Sequence, residues 1–248
     1  MSSAQPRNTK SAIVTGGSRG IGLAIARVLA DEGYALTLAS RNAERLEATA
    51  AELSAKGYDV QAVVCDVQHD DQLRHVVDVH ASRFDQLDVL VNNAGFGISG
   101  GIGELSTSSI DRILSVDLRS TILMCRNAID LLERAGAQGN GALIVNVASI
   151  AGKFGSENLA VYSAAKHGVV GFTQSMNREL AAKGIKSCAI CPGYVDTDMA
   201  EFKRGEIPAE EMIRPEDVGE MVRALLRLSR WVVVPEIMLI RPGDGAVS

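Results

Sequence analysis

The sequence predicts an α/β protein, built on a single doubly wound parallel sheet with helices covering both faces. Along its 248 residues, short apolar runs rich in Val, Ile and Leu alternate with longer amphipathic stretches. The short runs are apolar nearly throughout, which is typical of parallel strands buried on both sides and joined by right-handed crossovers. No charge block, low-complexity tract or repeat interrupts this order. We therefore expect one domain over residues 11–248, after a flexible N-terminus at residues 1–10.

The predicted elements follow in chain order. Strands are expected at 11–15, 34–39, 60–65, 89–91, 142–147, 186–191 and 237–240, because each is a short apolar run rich in strand-forming residues. Helices are expected at 21–31, 43–56, 70–84, 107–134, 161–183 and 215–229, where apolar residues recur every three to four positions. The segment 107–134 is long for one helix, so we expect a break within it.

Charge and hydropathy narrow the choice of partner. The formal net charge is −5 at pH 7, and an acidic surface argues against nucleic acid or an anionic membrane as the main partner. No stretch approaches about 18 uninterrupted apolar residues, and residues 1–10 lack the apolar core of a signal peptide. We therefore expect a cytoplasmic protein that acts on a small molecule.

The cysteines and histidines predict neither a disulfide framework nor a metal site. Four cysteines in a chain of this length are typical of a reducing compartment. Cys188 and Cys191 have the C-x-x-C spacing, but residues three apart on a strand point to opposite faces, so their sulfurs should diverge. The four histidines show no metal-ligand spacing.

A glycine-rich turn joins the first predicted strand to the first predicted helix. Residues 15–22 read Thr-Gly-Gly-Ser-Arg-Gly-Ile-Gly. Glycines let the chain turn sharply, and the free N–H groups of the helix N-terminus that follows can bind a phosphate. The position of this turn in a βαβ unit favours a dinucleotide site over a plain connection. The expected cofactor contacts here are Gly16, Ser18, Arg19, Gly20, Ile21 and Gly22.

The end of the second strand indicates which dinucleotide is bound. A protein that binds NAD places Asp or Glu here for the ribose 2′-hydroxyl, whereas this chain has Ser40, Arg41 and Asn42. Arg41 can pair with a 2′-phosphate, and Arg19 in the glycine turn is a second cation near the same place. The alternative is that both arginines are solvated surface charges. The pattern favours NADP(H), with Ser40 and Arg41 as contacts.

Two further strand ends supply candidate contacts. Asp66 and Val67 follow the third strand, where the Asp66 carboxylate can accept a hydrogen bond from the adenine amino group or simply cap a turn. Asn92, Asn93, Ala94 and Gly95 follow the fourth strand. An asparagine there can tie neighbouring strands together, and the glycine leaves room for a ribose.

A serine, a tyrosine and a lysine are the candidate catalytic residues. Tyr162 and Lys166 are four apart in a predicted helix, so their side chains share one face. A neighbouring cation makes a phenol a stronger acid, because positive charge stabilises the phenolate. Ser149, at the end of the fifth strand, adds a hydroxyl. Together the three can bind a carbonyl oxygen and pass it a proton.

In this order and spacing, the motifs resemble the short-chain dehydrogenase/reductase family, in its group with the Thr-Gly-x-x-x-Gly-x-Gly turn. The likeness runs from Thr15 to at least Met199. It is greatest to 3-oxoacyl-acyl-carrier-protein reductases and related NADPH-dependent carbonyl reductases. The resemblance implies a Rossmann fold and hydride transfer between NADP(H) and a carbonyl or secondary alcohol. It also implies a homodimer or homotetramer, and a substrate that in some members is attached to acyl-carrier protein.

The resemblance assigns roles to these residues. Tyr162 would be the acid/base, Ser149 would hydrogen-bond the substrate oxygen, and Lys166 would contact the nicotinamide ribose and strengthen the phenol as an acid. Tyr162 and Lys166 are thus also cofactor contacts. The residues expected to line the nicotinamide are Pro192, Gly193, Val195 and Thr197.

Two departures from the family pattern stand out. Asp117 occupies the position where the family has an asparagine that helps to hold a water linked to the catalytic lysine. It is either a fourth catalytic residue or a residue that only stabilises a helix break. The C-terminus has Pro235-Glu236 before the last strand and Arg241-Pro242-Gly243-Asp244-Gly245 after it, which departs from the ending of the fatty-acid members.

The predicted substrate lid spans residues 194–214. Met199, Phe202, Met212 and Ile213 are its apolar elements. Its charges read mainly as solvated, although Lys203 could meet an acidic carrier protein. The rival to an enzyme is a catalytically silent NADP-binding sensor or scaffold of the same fold, against which the complete Ser149, Tyr162 and Lys166 set argues.

Overall fold

The computed structural model describes residues 10–139 and 141–242. Seven parallel strands form one sheet in the order β3-β2-β1-β4-β5-β6-β7. The strands are β1 (Ser11–Thr15), β2 (Ala35–Ser40), β3 (Val60–Val64), β4 (Val89–Asn92), β5 (Ala142–Val147), β6 (Ile185–Pro192) and β7 (Glu236–Leu239). The doubly wound parallel sheet predicted from the sequence is confirmed. The expected flexible N-terminus falls, apart from Lys10, outside the described residues.

Helices cover both faces of the sheet. They are α1 (Gly20–Asp31), α2 (Ala43–Ala55), α3 (Asp70–Ala81), α4 (Thr107–Leu114), α5 (Ser120–Gly136), α6 (Ala160–Leu180) and α7 (Pro215–Arg227). One apolar layer joins the sheet to α1, α2 and α7, and a second joins it to α3, α5 and α6. These layers cover the strands on both sides, which explains why the strands read as continuous apolar runs.

The long helical region predicted at 107–134 contains a π-helical segment at Ser115–Arg119, between α4 and α5. The expected break is therefore one wide helical turn instead of an interruption. Such a segment adds a residue to the turn, which rotates the side chains before it relative to those after it. Here it places Val116 and Asp117 in the interior.

A chain of hydrogen-bonded side chains crosses the interior from β4 to α6. Asn92 at the end of β4 donates its side-chain N–H to the Asn146 carbonyl oxygen on β5, at 2.9 Å. Asn146 in turn donates to Thr173 Oγ1 on α6, at 2.9 Å. All three residues are buried. The Asn92 side chain thus ties β4 to β5, as the sequence suggested, and the chain of hydrogen bonds continues to α6.

The C-x-x-C pair on β6 points to two different layers. Cys188 packs in the layer of α1 and α7, whereas Cys191 packs with Val169 and Val170 of α6. The four cysteines are free and buried. The prediction that the two sulfurs diverge is confirmed. Within the described part of the chain, we find no helix with the length and hydrophobicity needed to cross a membrane.

Candidate active site

The glycine turn lies at the carboxyl edge of the sheet and is held from β4. Thr15 Oγ1 accepts the backbone N–H groups of Asn93 and Ala94 at 3.0 and 3.2 Å, and the Asn93 side chain donates to the Thr15 and Gly16 carbonyl oxygens at 3.1 and 3.2 Å. Gly16 and Gly20 have φ values of +65° and +53°, a region that favours glycine. The turn is therefore fixed in place before α1 begins at Gly20.

Gly22 is required for close packing of α1 and is not part of the cleft wall. A Cβ atom at this position would overlap the Gly16 carbonyl oxygen and the Asn93 side-chain nitrogen. Only glycine lets the first turn of α1 approach the preceding loop so closely. Gly22 does not line the cleft described next.

One cleft of about 1070 Å³ opens along this edge, and it collects nearly all the predicted site residues. Its walls include Gly16, Ser18, Arg19, Gly20, Ile21, Ser40, Arg41, Asp66, Val67, Asn93, Ala94, Gly95, Ser149, Tyr162, Lys166, Pro192, Gly193, Val195 and Thr197. Of the sequence-predicted site residues, Gly22 and Asp117 lie behind the wall instead of in it.

Arg19 and Arg41 lie at one end of the cleft, close to the serines of the glycine turn and of the end of β2. Ser18 Oγ and Ser40 Oγ are 2.9 Å apart, which joins the glycine turn to the end of β2 beside Arg41. Arg19 is hydrogen-bonded to Asp198 of the lid, and both side chains are more than half exposed. Asp198 was not singled out from the sequence, because nothing local marks a lid carboxylate as the partner of a loop arginine 179 residues away.

Asp66 makes the turn-capping contacts of its simpler interpretation. Its Oδ1 atom accepts the backbone N–H of Gln68 at 3.1 Å, and both carboxylate oxygens lie 3.2 Å from the Gln68 side-chain nitrogen. Burial raises the pKa of Asp66, but these hydrogen bonds outweigh burial and the pKa is lowered. Asp66 still lines the cleft, so its carboxylate also faces the space where the adenine contact was expected.

Ser149, Tyr162 and Lys166 meet at the other end of the cleft. Ser149 follows β5, and its Oγ accepts the N–H of Ala151 at 3.1 Å, which leaves the hydroxyl proton free to donate. Lys166 Nζ lies 5.5 Å from the centre of the Tyr162 ring, as expected for residues one turn apart. Tyr162 is half-buried and Lys166 is buried. A hydroxyl, a phenol and an ammonium thus surround one space.

Asp117 contacts the lysine from behind. Lys166 Nζ lies 3.1 Å from Asp117 Oδ1 and donates to the Val147 carbonyl oxygen at 3.2 Å. The exposed fractions of the Lys166 and Asp117 side chains are 5% and 0%. Burial by itself would lower the pKa of Lys166, but the charge of Asp117 outweighs it and the pKa is raised. Burial raises the pKa of Asp117, against the opposing effect of the Lys166 charge.

The segment 194–214, which the sequence predicts to be a lid, borders the cleft as a loop whose two ends are hydrogen-bonded to each other. The Tyr194 carbonyl accepts the Ile213 N–H at 3.0 Å, and the Ile213 carbonyl accepts the Asp196 N–H at 2.8 Å. Between them lie two short 3-10 turns, Asp198–Lys203 and Ala209–Glu211. Met199 and Phe202 line the cleft with 51% and 64% of their surface exposed, so this segment presents two apolar side chains to the cleft.

Two of the three cations in this segment are paired within the loop, and the third, Arg214, pairs with Asp217 of α7. Lys203 Nζ lies 2.7 Å from Glu206, and Arg204 lies 2.8 Å from Asp196. Of the predicted apolar elements, Met212 is buried and Ile213 is half-buried, so these two anchor the lid. The sequence expectation that most lid charges are not substrate ligands agrees with this pairing.

The unusual C-terminal segment reaches the serine loop. Glu236 opens β7 and pairs with Lys153 at 2.8 Å, four residues after Ser149. Pro235, which precedes it, accepts a backbone hydrogen bond from Ala189 of β6 at 3.0 Å. The residues Gly243, Asp244 and Gly245 lie outside the described part.

Comparison with known proteins identifies the relatives of this architecture. The family model described as short chain dehydrogenase matches residues 10–207. A granaticin polyketide synthase putative ketoacyl reductase of Streptomyces violaceoruber is 39% identical over 228 residues, which cover 91% of this chain and 82% of that protein. The 3-oxoacyl-[acyl-carrier-protein] reductase FabG of Staphylococcus aureus is 37% identical over 206 residues, 83% of this chain and 82% of that protein.

Solved structures agree with the sequence relatives. A variant of actinorhodin polyketide ketoreductase with NADPH superposes with a TM-score of 0.84 at 33% identity, over 93% of this chain and 95% of that one. An alcohol dehydrogenase of the archaeon Thermococcus sibiricus, complexed with 5-hydroxy-NADP, superposes with a TM-score of 0.84 at 31% identity. The match covers 94% of this chain and 96% of that one. The chain belongs to the short-chain dehydrogenase family, as the motifs of its sequence indicated, and is an oxidoreductase of that family.

Proposed function

We propose that this protein interconverts a carbonyl and a secondary alcohol with NADP(H) as the hydride carrier. The observation that carries the proposal is the convergence of Ser149, Tyr162 and Lys166 on the cleft that the glycine turn enters. The rival, a silent NADP-binding sensor, would need none of these three side chains to share one space. The relatives with reductase names and the NADP-complexed neighbours support the same conclusion.

The residues present fit the cofactor. The turn at Gly16 and Gly20 presents the N-terminus of α1, which suits a diphosphate. A Cβ at Gly95 would lie 3.2 Å from Asp117 Oδ1, which is a tight contact, so glycine leaves room between the cleft and the residues behind its wall. Arg19 and Arg41 line the other end, where a 2′-phosphate would need cations. When bound there, NADPH supplies the hydride.

The chain's own side chains would manage the proton. In reduction, Tyr162 gives its phenolic proton to the substrate oxygen, and in oxidation it takes the proton back. Ser149 donates a hydrogen bond from its hydroxyl group to the same oxygen and so orients the substrate. Lys166 holds a positive charge within 5.5 Å of the phenol ring, which stabilises the phenolate as it forms.

Two apolar side chains of the lid support a substrate with a hydrocarbon part. Met199 and Phe202 line the cleft, and two relatives are named as ketoacyl and 3-oxoacyl reductases. We therefore favour 3-oxoacyl thioesters over small polar ketones. A narrower form of this proposal is that the substrate is attached to acyl-carrier protein. Lys203 and Arg204 are already paired with carboxylates of the same segment, so these two cations give that form no support.

Assembly and location follow from the same reasoning. Exposed apolar residues Trp231, Val232 and Val233 precede the edge strand β7 and support the homodimer or homotetramer implied by the family. The free buried cysteines are in keeping with a reducing cytoplasm.

The decisive test combines Tyr162→Phe with a substrate screen. NADPH absorbance is followed with 3-oxoacyl thioesters, simple ketones, aldehydes and steroids in separate wells. We expect turnover of a 3-oxoacyl thioester, and a loss of at least about 100-fold in Tyr162→Phe, because general acid catalysis contributes on that scale. NADPH binding, measured by fluorescence, should be unchanged.

The matched control is Tyr58→Phe, which removes a phenolic hydroxyl group between α2 and β3, where Tyr58 donates a hydrogen bond to Asp31. It should retain wild-type turnover. Substantial turnover in Tyr162→Phe would overturn the catalytic assignment, and binding of NADPH without turnover of any tested carbonyl would favour the silent sensor.

A further inference from the structure

We propose that Asp198 competes with the 2′-phosphate of the cofactor for Arg19, so that the lid segment 194–214 stays tied to the glycine turn until that phosphate displaces it. The proposal rests on the proposed function in one respect, since it takes Arg19 as a cation for the 2′-phosphate. It adds a lid residue that opposes cofactor binding and selects between the two dinucleotides.

Two arginines hold the Asp198 carboxylate. Arg19 Nη1 donates a hydrogen bond to Asp198 Oδ2, and Arg45 Nη1 lies 3.8 Å from the same oxygen atom. Arg19 belongs to the glycine turn, just before α1, whereas Arg45 lies in the first turn of α2. Because α2 begins directly after Arg41 and Asn42, one lid carboxylate contacts cations of both elements that carry the expected phosphate ligands.

The neighbours of Asp198 bring the lid onto the glycine turn. Asp198 lines the cleft, as do Thr197 and Met199 beside it. A Cβ atom at Gly20 would lie 3.1 Å from Thr197 Cγ2, so the lid is already in close contact with the start of α1. An anion that binds at this end of the cleft must therefore share the space with the lid.

The other lid charges do not make this connection. Lys203 pairs with Glu206 and Arg204 pairs with Asp196, all within the lid. In the part of the chain that the structure describes, the ion pairs between the lid and the cofactor end of the cleft are those of Asp198. The two ends of the lid are hydrogen-bonded to each other, so loss of the Asp198 pairs frees the middle of the lid and leaves its ends in place.

The charges decide which ligand can break the contact. A phosphate monoester carries a charge of about −1.5 to −2 at pH 7 and three acceptor oxygens, whereas a carboxylate carries one charge and two oxygens. Arginine can bind either group in a bidentate manner. A 2′-phosphate therefore replaces Asp198 without leaving the Arg19 guanidinium unpaired. NAD(H) has a hydroxyl group at that position and leaves the contact intact.

The exposure of the pair sets the size of the effect. The exposed fractions of the Arg19 and Asp198 side chains are 57% and 62%, and that of Arg45 is 48%. Exposed ion pairs are weak, and we take the two contacts to favour the tied lid, in which Asp198 contacts Arg19, by roughly four to one. A ligand that must first release the lid then binds about fivefold more weakly than it would to a free lid.

The experiment measures the binding of two adenosine fragments by isothermal titration calorimetry. Adenosine 2′,5′-bisphosphate carries the 2′-phosphate, whereas ADP carries a 5′-diphosphate and a free 2′-hydroxyl, and neither has a nicotinamide. Asp198→Asn should bind the 2′,5′-bisphosphate about fivefold more tightly than wild type and bind ADP equally well. Equal tightening for both fragments would mean that Asp198 merely repels anions, and would overturn the proposal.

A second readout follows the lid itself, through hydrogen–deuterium exchange of the backbone amides of residues 198–206. In wild type, saturating 2′,5′-bisphosphate should speed this exchange by about fivefold, because exchange proceeds from the released lid, whereas ADP should not change it. Asp198→Asn should exchange at the faster rate without any ligand. Wild-type exchange that does not respond to the 2′,5′-bisphosphate would contradict the proposal.

The matched control is Glu201→Gln, the same carboxylate-to-amide change at an exposed position in the same 3-10 turn, outside the cleft wall. It should leave both affinities and the exchange rate unchanged. If wild type and Asp198→Asn bind the 2′,5′-bisphosphate equally tightly, the proposed competition is wrong while the cofactor assignment stands. If wild type binds neither this fragment nor NADPH, the cofactor assignment fails, and the competition with it.

Discussion

The buried imidazole of His80 makes the stability of this fold sensitive to mild acid. His80 lies on α3 with no exposed surface, and its Nδ1 and Nε2 atoms lie 2.8 Å from Thr37 Oγ1 and 3.1 Å from Ser11 Oγ. These hydroxyls belong to β2 and β1, so the ring joins the helix to the centre of the sheet. Neutral imidazole satisfies both contacts, with one nitrogen as donor and the other as acceptor.

Burial lowers the pKa of His80 from 6.5 to about 4, although a hydrogen bond to the Gln86 carbonyl opposes this. A depression of this size corresponds to roughly 3 kcal/mol of free energy of unfolding. The unfolded chain binds a proton near pH 6.5 and the folded chain does not. This contribution is therefore complete above pH 6.5 and is lost as the pH falls to about 4, with about 2 kcal/mol lost by about pH 5.

The assay is urea unfolding followed by far-ultraviolet circular dichroism, at about pH 7 and about pH 5. His80→Gln should be less stable than wild type at neutral pH, but its free energy of unfolding should fall by about 2 kcal/mol less between the two pH values. His75→Gln, an exposed histidine on the same helix, is the control and should keep the wild-type pH dependence. Equal pH dependence in His80→Gln and wild type would refute the reasoning.

Two further predictions concern the cofactor end of the cleft. Arg41→Ala should weaken NADPH binding by about tenfold or more and leave NADH binding nearly unchanged, because one charge-assisted hydrogen bond is lost; equal loss for both dinucleotides, measured by fluorescence titration, would show that Arg41 does not read the 2′-phosphate. Gly22→Ala should displace α1 from the glycine turn and lower the melting temperature of the protein. Saturating NADPH raises the melting temperature by linkage, and this increase should be smaller in Gly22→Ala than in wild type. Gly171→Ala, where a Cβ meets open space on α6, is its control and should melt at or above the wild-type temperature.

The layers of this fold were predictable because they depend on local composition. Apolar strands such as β1 and β4 and their intervening helices follow from periodicity alone, and the glycine turn follows from its position between two of them. The π-helical segment at Ser115–Arg119 was not predictable, since one added residue in a turn leaves the apolar spacing almost unchanged.

Long-range charge pairing was the other missing part of the site. The resemblance linked Asp117 to Lys166 through a water, whereas the direct 3.1 Å contact between the two side chains needed the fold. In the same way, Arg19 was placed at the cofactor, but its contact with Asp198 of the lid depends on how a distant loop returns over the cleft. Side-chain identity predicts chemistry, whereas pairing across elements depends on their arrangement.

The hydrogen bond from Asn146 to Thr173 controls the rotational setting of α6. Thr173 comes eleven positions after Tyr162, about three helical turns, so the two side chains leave the helix in nearly the same direction. A polar contact with the middle of the sheet therefore helps to fix the rotation of α6 about its own axis. This rotation determines the direction in which the Tyr162 side chain points. The orientation of Tyr162 at the cleft thus depends in part on a hydrogen bond in the protein interior.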